Sequence, residues 1–103
     1  MNRVLTAAAR GHAANMAKQG KIEHTLDDKT VSDRVKAAGY EFRRVGENIA
    51  WNQKTPKDVV AAWMSSKGHK ENLLNDQYTQ LGIAVAKSSE GEPYWVQVFG
   101  TPR

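Results

Sequence analysis

The sequence predicts an α+β chain folded as a three-layer α/β/α sandwich around a small, mainly antiparallel sheet. Three observations lead there. Apolar residues recur at helical spacing in the first third of the chain and again before residue 68. Two later runs, "LGIAVAK" and "PYWVQVFG", are rich in strand formers and are joined by the five residues "SSEGE", a natural hairpin connection. Both runs are apolar on both faces. Ile83 and Val85 oppose Ala84 and Ala86 in the first; Tyr94, Val96 and Val98 oppose Trp95 and Phe99 in the second. A strand buried on both sides lies in a middle layer, so helices must cover each face.

Each element has its own signal. In "VLTAAARGHAANMAKQG", Leu5, Ala9, Ala13 and Met16 share a helical face, and Gly20 is the stop. "TVSDRVKAAG" reads as a short second helix, capped by Thr30 or Ser32, with Val31 and Val35 on one face and Gly39 at its end. "EFRRVGENIAWN" is too irregular for a clean pattern and reads as a strand or extended segment broken near Gly46. "TPKDVVAAWMSSKG" carries strong punctuation: Thr55 as N-cap, Pro56 at the first helical position, Asp58 in the first turn. Val59, Val60, Trp63 and Met64 form its apolar stripe, Gly68 is read as its stop, and "HKENLL" as one further helical turn.

The chain has 103 residues, the size of one domain, taken as 1–103. Its net charge is +4, but the signs alternate along "EFRRVGEN" and "KGHKENLL", and there is no nucleic-acid motif. Nucleic acid is therefore not an expected partner; mild attraction to anionic surfaces is. The absence of cysteine excludes disulfides, thiolate metal sites and a cysteine nucleophile. No apolar run approaches the ~20 residues of a membrane span. "MNRVLTAAAR" lacks the pattern of a signal peptide and already reads as helix, so the start is read as a truncation within a longer protein.

The residues able to do chemistry are few. His12 lies beside the Ala9/Ala13/Met16 face, and its plain reading is a packing or boundary histidine rather than a ligand. His24, in "KIEHTLDD", and His69, in "KGHKENLL", are taken alone as loop histidines. Glu47 stands between Gly46 and Asn48. Either "GEN" is a turn, or Glu47 is a buried carboxylate that needs His⁺, a metal or backbone N–H groups as partners. There is no HExxH, GxSxG or phosphate loop, so any site must be assembled from separate segments.

Those segments occur in an order that resembles a bacterial CAP (SCP-like) domain, the superfamily of cysteine-rich secretory proteins, antigen 5 and pathogenesis-related class 1 proteins. The ordered set is "HT" at 24–25, "GENIAW" at 46–51, "VVAAWMSSKGHKENLL" at 59–74, "YTQLGIAVA" at 78–86 and "YWVQVFG" at 94–100. The resemblance spans nearly the whole chain and implies an α/β/α sandwich with a central cleft lined by two histidines and up to two acids. His24 matches the first histidine, Glu47 the acid of "Gly-Glu-Asn", and His69 the second histidine, thirteen residues before Gly82. A glutamate often found three residues after the helix tryptophan is replaced here by Ser66.

The resemblance implies an exported, secreted or cell-envelope protein. Two neutral imidazoles would form a site for Zn²⁺ or another divalent ion, with Glu47 as third ligand or as the group orienting one imidazole. The expected role is a ligand-binding or envelope-interaction module for a lipid, glycan or protein. Ser66, Asn48, Trp51 and Tyr78 are expected to line the cleft, and Tyr40 is also uncommitted to the core. Alternatively, Trp51 packs on Trp63. The competing function is a metal-dependent peptidase or esterase with Glu47 as general base and His24 and His69 beside it.

Overall fold

A computed structural model describes the whole chain, Met1–Arg103. In chain order the elements are α1 (Arg3–Gln19), α2 (Val31–Ala37), β1 (Phe42–Trp51), α3 (Pro56–Met64), α4 (Lys67–Leu74), β2 (Gln80–Lys87) and β3 (Pro93–Pro102). The termini of the early helices follow their capping chemistry. The Asn2 side chain accepts from the Leu5 N–H, and Gly20 closes α1 in the left-handed conformation. Thr30 and Asp33 form a reciprocal capping box on α2.

The sheet has the order β1-β3-β2 and is antiparallel throughout. β3 is the central strand and is buried from Pro93 to Gly100. Register decides what each face holds. Ile49 and Ala84 flank Val96, and Glu47 and Gly82 flank Val98, all on one face. Ala50 and Val85 flank Trp95, and Asn48 and Ile83 flank Gln97, on the other. The first face carries the main core, where Leu5, Ala9, Ala13 and Met16 of α1 meet Val35, Ile49, Val96 and Val98. The second carries a smaller cluster of Val59, Trp63 and Trp95. The expected α/β/α layering is thus present around β3, whereas β2, expected to be buried on both faces, is an edge strand with Val85 45% exposed.

β1 is an edge strand, and an open edge invites pairing with another chain. Side chains from the second helical layer cover it. Trp63 Nε1 donates to the Ile49 carbonyl at 3.0 Å, and Asn72 Nδ2 donates to the Glu47 carbonyl at 3.2 Å. Residues two apart on a strand present their carbonyls to the same side, so these two contacts protect one continuous edge.

Three local expectations are corrected. β1 is not broken at Gly46 but runs through it; its irregularity lies between Phe42 and Arg44. Gly46 serves a close approach instead, since a Cβ there would lie 2.4 Å from the Tyr78 hydroxyl, whose ring stacks on Phe99. α3 ends at Met64 rather than at Gly68. The Ser66 N–H closes a tight turn onto the Trp63 carbonyl, the chain extends at Ser66, and Gly68 falls in the first turn of α4. Finally, the α3 stripe is narrower than its sequence suggests. Val59 and Trp63 are buried, whereas Val60 and Met64 are 40% and 38% exposed, because α3 meets only the small second cluster.

The contact between α1 and β2 depends on Gly82. A Cβ there would fall 2.2 Å from the Thr6 nitrogen and 2.4 Å from the Leu5 carbonyl carbon, both backbone atoms that cannot swing aside. Gly82→Ala is expected to lower stability by about 2 kcal/mol or more through overpacking. Gly68→Ala, where no atom lies within 4 Å, is expected to shift it by less than about 1 kcal/mol. Urea unfolding of both variants checks this, and equal midpoints would contradict it.

Candidate functional site

The site is built around two consecutive residues of β1 whose side chains point to opposite faces of the sheet. Glu47 points toward α1 and α2. Its side chain is 1% exposed and both carboxylate oxygens are engaged. Oε1 lies 2.9 Å from His24 Nδ1, and Oε2 accepts from Arg34 at 2.7 Å. A carboxylate accepts but does not donate, so His24 Nδ1 carries the proton in this contact. In the neutral ring Nε2 is then the free lone pair. The His24 side chain is 55% exposed.

Arg34 organises the same face. Its guanidinium also donates to the Lys29 carbonyl at 2.9 Å and to the His24 carbonyl at 2.8 Å. One side chain thus neutralises Glu47 and holds the His24 loop against α2. His12 closes the cluster from α1. Its ring is 1% exposed, Nε2 donates to the Glu23 carbonyl at 2.8 Å, and Glu47 Oε1 lies 3.9 Å away. Burial pushes the His12 pKa below its ordinary value; the Glu47 charge opposes this and the Arg34 charge adds to it. Arg34 already balances Glu47, so His12 is a neutral packing histidine with one satisfied N–H.

Asn48 points to the other face and is fully buried. Its Nδ2 donates to the His69 carbonyl at 3.1 Å and to Gln97 Oε1 at 3.3 Å, while its Oδ1 accepts from Asn72 at 3.0 Å. This network fixes the first turns of α4, and with them His69, to β1. The His69 ring is half-buried, and burial lowers its pKa, with a smaller lowering from His24. The segments that carry the two imidazoles are held from opposite sides of β1.

The remaining expected site residues divide. Ser66 is half-buried at the N-cap of α4, one turn before His69, and makes no side-chain cap bond. Trp51 is 44% exposed and leans on Tyr94, with ring centroids 6.5 Å apart. The alternative of Trp51 packing on Trp63 does not hold, because register places Trp51 opposite Tyr94 while Trp63 joins Trp95 across the sheet. Tyr78 is half-buried over Gly46 and Phe99. Tyr40 is a core residue, 7% exposed, donating to Gln80 at 2.7 Å. Arg34, Asn72 and Gln97 were not legible as site residues. The signal for Arg34 was Glu47 itself, since a buried carboxylate demands a cation and the capped helix "VSDRVKA" offers one.

The donor set limits what the site can hold. No three His, Cys, Asp or Glu side chains are grouped as metal ligands, and both Glu47 oxygens already have partners. Two imidazoles remain, fewer than the three or four protein ligands of usual zinc centres.

The sequence matches the family profile described as CAP, the cysteine-rich secretory protein family, over residues 1–99. The chain is 34% identical over 100 residues to the YkwD protein of Bacillus subtilis, a match that covers 96% of this chain but 38% of that protein. Its fold superposes with a TM-score of 0.92 on an outer surface protein of Borrelia burgdorferi at 26% identity, covering 99% of this chain and 76% of the other. It superposes with a TM-score of 0.85 on an extracellular protein of Bacillus anthracis containing an SCP domain, at 29% identity, covering 96% of this chain and 32% of that one.

Two outcomes follow from the Glu47 cluster. Arg34→Ala leaves a buried carboxylate without its cation and is expected to cost about 3 kcal/mol, more than the neutral isostere Glu47→Gln. Chemical denaturation of both variants decides the order, and a smaller cost for Arg34→Ala would contradict it. The second outcome concerns pH. A histidine whose pKa is lowered on folding takes a proton more readily when unfolded, so its contribution is complete above its ordinary 6.5 and declines as pH falls below that value. His69 has the same sign. Asp27 and Asp33, held below their ordinary 3.8, leave this window unchanged. Thermal unfolding should therefore occur at lower temperature at about pH 5.5 than at about pH 7.5, and the difference should shrink in His12→Gln. An undiminished difference in that variant would contradict the assignment.

Proposed function

The chain belongs to the cysteine-rich secretory protein (CAP) family, and from that premise we propose that it is a non-catalytic binding module working outside the cytoplasm. Its recognition surface is the rim beside β1 that carries His24 and His69, the strand edge itself being covered by Trp63 and Asn72. The observation that carries this reading is the state of Glu47. A general base must present a lone pair to substrate or to an attacking water. Glu47 is buried, with one oxygen on His24 and the other on Arg34, so its chemistry is to hold rather than to abstract. The same observation disfavours a metal-dependent peptidase or esterase with Glu47 as base. Ser66 does not restore the missing carboxylate.

Location outside the cytoplasm is supported by two structural relatives described as an outer surface protein and an extracellular protein. The chain spans 38% of the length of YkwD, so the activity of a whole protein of that kind extends beyond this module. No helix is long and apolar enough to cross a membrane. Trp51 is the exposed aromatic available to a lipid, glycan or protein ligand.

A divalent ion such as Zn²⁺ fits this site only as a loosely held guest. His24, through Nε2, and His69 would hold it, and the ion would supply a positive centre for an anionic or carbonyl group of the ligand. Glu47 contributes by fixing the His24 ring, the arrangement that raises the basicity of a ligating imidazole. Ligation requires both rings neutral. Calorimetric titration with Zn²⁺ is expected to give binding at about pH 7.5 that weakens by at least about tenfold at about pH 5.5. No zinc-dependent turnover of ester or peptide libraries is expected. Equal affinity at the two pH values would refute the imidazole pair, and turnover abolished by Glu47→Gln would refute the non-catalytic reading.

A further inference from the structure

We infer that the corner between the end of α2 and the start of β1 is a separate binding site for a phosphate-ester group. A surface pocket of about 570 Å³ lies there, lined by Lys36, Tyr40, Glu41, Phe42, Arg43 and Arg103. Its size is in the ordinary range for small-ligand sites. It contains neither histidine nor any other residue of the Glu47 cluster, although α2 and β1 contribute to both.

Charge gives the ligand class. Among the side chains three cations face one carboxylate, and none of the three has an Asp or Glu oxygen within 4.0 Å, because every ion pair of the chain converges on Glu47. The cations are thus unneutralised by the protein. Guanidinium groups match the oxygens of phosphate in a bidentate manner, and a point-charge ammonium beside them adds attraction without demanding geometry.

Two local features point these cations at the pocket. Val45 pairs with Gly100 and Arg44 with Thr101, but Phe42, not Arg43, pairs with Pro102. Arg43 is therefore the extra residue of a β-bulge, a device that re-aims a side chain at a strand end. Lys36 lies over the Phe42 ring, its ammonium 5.7 Å from the centroid, which holds the charge against the pocket wall. The end of α2 does not repel an anion strongly. The Arg34, Val35 and Lys36 carbonyls accept from the N–H groups of Ala38, Tyr40 and Gly39, and the last turn itself carries Lys36. Tyr40 and Phe42 supply an apolar floor for the organic body that bears the phosphate.

Titration of the ¹⁵N-labelled chain with glycerol 3-phosphate tests the site. Saturable shifts are expected at the amides of Gly39, Glu41, Phe42 and Arg43. Lys36→Gln with Arg43→Gln should weaken binding about tenfold, whereas Lys54→Gln with Lys57→Gln, which removes equal charge beyond the other end of β1, should not. The amide spectrum shows directly whether each variant is folded, and the wild-type shift map stands independently of both. Phosphatidylglycerol vesicles distinguish the source of the phosphate. Co-sedimentation that glycerol 3-phosphate competes away assigns it to a lipid headgroup; soluble binding without co-sedimentation assigns it to a free or polymer-borne ester. Unsaturable shifts scattered over the basic surface, or equal weakening in both double variants, would overturn the site.

Discussion

A buried carboxylate on an edge strand is the constraint from which the rest of this molecule follows. Glu47 cannot be left alone at 1% side-chain exposure, since an unpaired charge there would cost far more than any packing around it supplies. Its two oxygens recruit Arg34 from α2 and His24 from the loop after α1, and His12 closes in from α1 itself. Three separate stretches of chain are thereby tied to one point of β1. The pair is weak evidence for extra stability, because desolvation offsets much of its attraction. Its consequence is geometric: the ring of His24 is oriented, and the loop carrying it is held by Arg34 through its carbonyl.

The neighbouring residue performs the parallel task on the other face. Asn48 offers a donor and an acceptor where Glu47 offers only acceptors, so it bonds to a carbonyl and two side-chain amides rather than to cations. Alternation along a strand puts these two side chains on opposite faces with no further device. Two histidines distant in sequence are tied to the same strand in this way, one oriented by a charge and the other anchored through its backbone.

Much of the fold was legible in the sequence because its signals were local. Capping residues at Thr30 and Thr55, the glycine at the end of α1 and the two-faced strand β3 each name their structure without reference to distant parts. Gly46 and Gly68 were misread for the opposite reason. A glycine's local meaning is a break or a stop. At Gly46 the actual requirement is the Tyr78 ring, over thirty residues away, and at Gly68 no contact demands a glycine at all. The candidate site divides in the same manner. His24, Glu47 and His69 were found through resemblance to a family pattern, whereas Arg34, Asn72 and Gln97 are partners chosen by tertiary placement. The exposure of Val60 and Met64 was equally hidden, since it depends on how little of α3 the second layer covers.

The most direct measurement is the tautomer of His24, read from long-range ¹H–¹⁵N correlations of its imidazole near neutral pH. Engagement by the Glu47 carboxylate requires the proton on Nδ1. A ring protonated on Nε2, with Nδ1 bare, would mean that the buried carboxylate does not hold it, and the account of this site would fail.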